Sequence, residues 1–133
     1  MRIVLLGLFI VGSILSSCRS HDEDACLGGL EDWQVERVCR LYVQKEFEDL
    51  VEEYYSCRFW SEEERARMVM MLEQHAGMRE RKELFPVSVR YVRAELYPGD
   101  SVADVFVEMV YADGKTENGV FQMLRDGEDW YIR

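Results

Sequence analysis

The sequence predicts an α+β fold, with N-terminal helices packed on a four-stranded antiparallel meander. Three observations predict it. Apolar residues recur at helical spacing up to Ala76 and at alternate positions after Pro86, so the period changes from about 3.6 to 2. Asp113-Gly114 and Asp126-Gly127 fall between apolar alternations and read as hairpin turns. Helical and strand patterns are also segregated along the chain, which is the mark of α+β organisation.

The helical part begins at Glu31. Val35, Val38, Cys39 and Tyr42 recur at i, i+3, i+4 and i+7 and share one face. Phe47, Leu50, Val51 and Tyr54 repeat that spacing, and Lys45-Glu46 between the two sets reads as a break. Ser61-Glu62-Glu63-Glu64 is a capping box, in which the serine hydroxyl accepts from the Glu64 N–H and the Glu64 carboxylate reaches back. The third helix follows, with Met68, Val69, Leu72 and Ala76 inward. Gly77 is the first place it can fray, and Pro86 ends it at the latest. Met68, Met70, Met71 and Met78 lie close together, and Met70 falls off the inner stripe.

The strand part follows Pro86. Val87, Val89 and Tyr91 alternate, then Val92, Ala94 and Leu96 alternate on the other parity, so a bulge is expected near Tyr91-Val92. Tyr97-Pro98-Gly99-Asp100 is a turn. Ala103, Val105, Val107, Met109 and Tyr111 make the clearest strand, residues Gly119 to Leu124 a third, and Trp130-Tyr131-Ile132 a short last one. Strands joined by turns this short are antiparallel neighbours.

The N-terminus reads as an address. A basic residue at Arg2, an apolar run from Ile3 to Leu15 and small residues before Cys18 form a secretory signal too short to span a bilayer comfortably. Leu15-Ser16-Ser17-Cys18 resembles a bacterial lipobox. The resemblance implies that residues 1–17 are a lipoprotein signal peptide and that Cys18 carries the diacylglycerol and palmitate anchor. Residues 18–30 then form an acidic flexible tether, and residues 31–133 a single domain. His21-Asp22-Glu23-Asp24 resembles the surface-export signal of Bacteroidota lipoproteins, which implies the outer membrane and exposure at the surface. An ordinary polar spacer explains the same residues.

The strand order, with the turn Tyr111-Ala112-Asp113-Gly114-Lys115 and the closing Leu124-Arg125-Asp126-Gly127-Glu128-Asp129-Trp130-Tyr131-Ile132, resembles small envelope lipoproteins of the nuclear transport factor 2-like, cystatin-like superfamily. That resemblance implies a sheet curved into a cone around a helix. Its members include isomerases, dehydratases, ligand carriers and interaction domains, so the fold itself says little about activity. No strand pair separates the second and third helices here, and a shallower cone is expected.

Composition narrows the partners. The formal net charge is −10, and loss of Arg2 with the signal makes it −11. Such a surface repels nucleic acid and anionic headgroups. The membrane is reached through the Cys18 lipid. The expected partner is an envelope protein or a small apolar ligand, with no cofactor. Cys39 and Cys57 fall on neighbouring helical segments and are candidates for a disulfide in an oxidising envelope, or for small buried hydrophobes.

No residue pattern specifies a reaction. Asp104, Glu108, Tyr91, Tyr111 and His75 are the candidates for acid–base work, but Asp104 and Glu108 share a parity with Phe106 and Val110, opposite Val105, Val107 and Met109. If Val105 faces the helices, both acids face solvent. A lone helical His is a poor metal site, and no Gly-x-Ser-x-Gly elbow is present. Catalytic and metal residues are therefore assigned to none. Tyr54, Tyr55, Phe59 and Trp60 either line a cone mouth or plug the end of the core. Phe106 and Val110 offer a modest outer patch. The expected function is a non-catalytic ligand- or protein-binding domain; the alternative is a small-molecule isomerase or hydrolase with a carboxylate in the cone.

Overall fold

The structure is a computed structural model that describes residues 10–11 and 29–133. The lipid-site Cys18, the cut before it and nearly all of the tether lie outside the described residues. Elements follow in the order β1 (Ile10–Val11), α1 (Asp32–Val43), α2 (Phe47–Val51), a 3-10 turn at Tyr55–Phe59, α3 (Glu62–Arg81), β2 (Ser88–Leu96), β3 (Val102–Val110), β4 (Thr116–Asp126) and β5 (Asp129–Ile132). The helices precede an antiparallel meander of β2 to β5, the α+β order expected from the sequence. β1 adds a fifth strand from within the segment read as a signal.

α1 buries Val35, Val38, Cys39, Leu41 and Tyr42. Leu41 lies off the expected stripe and is buried because neighbouring elements enclose more than one side of the helix. α1 stops where the spacing predicts. Lys45 takes a left-handed φ of 60°, the Glu46 N–H donates to the Leu41 carbonyl at 2.9 Å, and the Lys45 N–H donates to Tyr42 at 3.1 Å. This is the double-bonded left-handed stop usually built on glycine. α3 ends the same way at Glu83, with the Leu84 N–H donating to the Arg79 carbonyl at 2.7 Å. It does not fray at Gly77. At its start both bonds of the Ser61–Glu64 box are made, at 3.1 and 3.2 Å. Such a cap contributes about 1 kcal/mol.

The second helix is shorter than its spacing suggests. α2 ends at Val51, and Tyr54 leaves it in an extended conformation to form a parallel bridge with Ile132. Tyr54 stays buried, which is why its spacing read as helical.

β3 alternates along its whole length, with Ala103, Val105, Val107 and Met109 buried and the residues between them half-buried. Phe121 and Met123 continue the inner face on β4, with Trp130 and Ile132 on β5. All of these side chains but Met109 meet Val35, Val38, Leu50, Val51 and Leu72 in one core. Burying each is worth about 1.5–3 kcal/mol. β2 carries the expected bulge. Tyr91 pairs with Val107 and Arg93 with Phe106, leaving Val92 without a partner and 49% exposed. The extra residue keeps Val89, Tyr91, Ala94 and Leu96 against the core on both sides of the break.

Candidate functional site

The outer sheet face carries the strand acids. Register sets Glu108 directly opposite Arg90, and the two form an ion pair. Asp104 stands beside Gln122, whose amide N–H donates to it at 3.0 Å, and the Tyr97 hydroxyl donates to the same carboxylate at 3.2 Å. Gln122 in turn accepts from the Arg133 guanidinium at 2.8 Å. Phe106 is on this face, but the Arg93 guanidinium lies over its ring at 4.1 Å. Val110 is half-buried between Ser88 and Thr116. The expected apolar patch is thus divided and partly roofed by charge.

The helix side holds the other candidates. His75 is half-buried on α3, and burial followed by the Arg79 charge lowers its pKa. Tyr111 donates its hydroxyl to Glu117 at 2.7 Å, and burial with that bond holds the phenol well above its usual range. Glu117 is exposed at the rim. Burial, then the charges of Asp32 and Glu36, pushes Tyr91 up to about 12. The outer-face acids and His75 lie on opposite sides of the sheet and form no acid–base pair. Among the described residues no charged side chain is fully buried, and no group of three or more His, Cys, Asp or Glu is placed to hold a metal ion.

The aromatic group divides in two. Tyr54 is buried, packs against Trp60 at 6.5 Å between ring centroids, and its hydroxyl has no partner among the described residues. It plugs the core and presents nothing to a ligand. Tyr55 and Phe59 meet edge to face at 5.9 Å, and Phe59 is 72% exposed. The Arg58 guanidinium lies over Tyr55 at 4.7 Å and Tyr131 at 5.1 Å, and pairs with Asp126 at 2.7 Å. Cys39 and Cys57 are both buried free thiols, so the disulfide is not formed. Burial, with Glu36 second, pushes the Cys39 thiol up to about 12.

Sequence reasoning missed a cleft of about 250 Å³ between the start of α1, the end of α2 and β5. Trp33, Arg37, Glu53, Asp129 and Tyr131 are among the residues lining it, with Met123 and Trp130 also at its wall. Arg37 pairs with Glu53 at 3.1 Å, and the Ile132 N–H donates to the Glu53 carbonyl at 2.7 Å, which ties the end of α2 to β5. Trp33 is 59% exposed and donates its indole N–H to Glu31 at 2.7 Å. The one signal in the sequence was a tryptophan off the apolar stripe of α1. Its neighbours across the cleft come from nearly a hundred residues away and share no spacing with it.

No family model matches the sequence, and no curated protein matches it. Among solved structures, a Campylobacter jejuni protein described as an NTF2-like transpeptidase aligns with a TM-score of 0.56 at 8% identity, over 76% of this chain and 94% of that one. The domain has the nuclear transport factor 2-like fold. A likeness at that identity concerns the path of the backbone alone.

Proposed function

We propose that the chain is a lipid-anchored, non-catalytic binding domain of a bacterial cell envelope, exposed from the outer membrane. The observation that carries the non-catalytic part is the state of the strand carboxylates. Asp104 and Glu108 sit on the outer face and already accept from Tyr97, Gln122 and Arg90. A general base must reach a substrate proton from a site that shifts its affinity toward the working pH. Glu117, on the inner side of the sheet, is exposed and accepts from the Tyr111 hydroxyl. The cleft beside Trp33 is the place assigned to a ligand, because it joins an exposed aromatic face to polar groups.

The anchor rests on Leu15-Ser16-Ser17-Cys18. Cys18→Ala is expected to abolish labelling by radioactive palmitate and either release the domain or leave it uncleaved; label retained by the variant would sink the anchor. The binding role is tested by native mass spectrometry of the protein taken from its source cells. A retained protein or small molecule, lost in Trp33→Ala, is expected. A bound compound that the purified domain converts to product overturns the non-catalytic reading.

A further inference from the structure

One edge of β4 is shared by two short strands laid end to end. β3 covers β4 from Thr116 to Leu124 on one side. On the other side β5 takes Met123 to Asp126, and β1 takes the next stretch, Ile10 opposite Val120 and Val11 opposite Gly119. The direction of the backbone groups follows from one bond. The Arg133 N–H donates to the Gln122 carbonyl at 3.0 Å, so Gln122 points its peptide groups toward the β5 side. Antiparallel alternation, unbroken by any bulge in β4, then points the N–H and C=O of Val120 to the same side. Ile10 is therefore set against an outward-facing donor and acceptor. Gly119 is buried and has no side chain, and Val120 and Phe121 make this stretch of edge apolar.

Ile10 and Val11 belong to the segment assigned to the signal, while the described core lies wholly between Leu30 and Ile132. Loss of residues 1–17 would remove Ile10–Val11 and bare this edge. We propose that the Gly119–Phe121 edge of the processed domain is a strand-docking site for an extended, apolar, non-acidic segment of a partner protein, added antiparallel to β4 in the register that Ile10–Val11 holds. The proposal rests on the binding-domain reading and on removal of the signal. Main-chain hydrogen bonds supply affinity in this mode, and pockets beside the edge select side chains. The chemistry of the occupant is read from the segment seated there, two β-branched apolar residues. A second copy of the chain is disfavoured as occupant, because each copy carries a formal net charge of −10 before the signal is lost.

The test compares the full chain with residues 18–133 by amide exchange at Val120. The probe is a synthetic peptide of residues 8–13 bearing a lysine solubility tail. Exchange at Val120 should be slow in the full chain, about tenfold or more faster in the shorter one, and slow again with the peptide. Val120→Pro removes only an edge-directed donor, a position where a sheet tolerates proline. It should weaken the peptide by about tenfold or more. Val120→Lys keeps the backbone donor, places a charge at the edge and should weaken it too. Equal exchange in both chain lengths, or an edge indifferent to the peptide, overturns the proposal. Protection in the shorter chain together with sedimentation as a dimer overturns it in favour of a second copy. Intact-mass and N-terminal peptide mass spectrometry of the protein from its source cells separates the two readings. A retained Met1 removes the signal reading and the docking site with it. A removed signal with a peptide-indifferent edge removes the docking site alone.

Discussion

The two edges of the sheet are built on different rules. The β2 edge carries Arg90, Arg93 and Glu95 in a strand of nine residues and is broken at Val92. Charges and a bulge are what keep an exposed strand from pairing with another chain. The β4 edge has neither defence between Gly119 and Phe121, and there the structure places β1. A single meander thus has one edge that refuses a neighbour and one that accepts it. The lesson is that the bulge does two jobs. It corrects the parity of β2 toward the core, and it spoils the edge that β2 presents.

The largest effect that would break this contrast is in the core below the accepting edge. Phe121 is buried, so Phe121→Ala is expected to cost about 3–5 kcal/mol in urea unfolding. Val120→Ala on the outward face should cost under about 1 kcal/mol. Equal costs would mean that the edge and the core are not separate on β4.

A pH series probes the core that α1 shares with β2. Cys39 has its thiol raised from 9.0 to about 12, and Tyr42 and Tyr91 have their phenols raised from 10.0 to about 12, in each case chiefly by burial. In all three the folded state favours the protonated form. That stability is fully present below about pH 9 and is lost as pH rises toward 12, because the unfolded chain releases these protons first. The urea midpoint should therefore fall from pH 9 upward, and Cys39→Ala should flatten the first part of the fall. A midpoint constant to pH 11 would show that these groups are hydrated in the native state.

Deleting Val92 gives a smaller but more pointed effect. The pairs on both sides of the bulge, Tyr91 with Val107 and Arg93 with Phe106, can then follow each other without an interruption. The shortened strand should keep the fold and present a flatter edge, and sedimentation should show more self-association at high protein concentration. A monomer as clean as the parent would assign the protection of this edge to its charges alone. Smallest of all, Val120→Lys should change the unfolding free energy by no more than about 0.5 kcal/mol.

The parts legible in the sequence were those with a local cause. The break at Lys45-Glu46 became a left-handed helix stop, the Ser61–Glu64 box was made, and the bulge fell where the parity of β2 changed. Each is decided within a few residues. Tyr54 shows the limit of spacing. It fits the helical period, yet a bridge to Ile132 draws it out of the helix. The site was less legible for the same reason. The parity of β3 alone gave Asp104 and Glu108 their outward direction, but their partners Gln122, Tyr97 and Arg90 depended on register between strands.

The sequence by itself determined the class of the fold, the succession of helices and meander strands, and the faces to which the residues of β2 and β3 turn, because hydrophobic period and turn chemistry are properties of short segments. Only the tertiary structure decided that Trp33 meets Tyr131 across a cleft, that Cys39 and Cys57 remain separate thiols, and that Ile10–Val11 lies along β4. Those contacts join residues far apart in the chain. Their geometry is fixed by how the helices, sheet and edge close around one core, which no local pattern encodes.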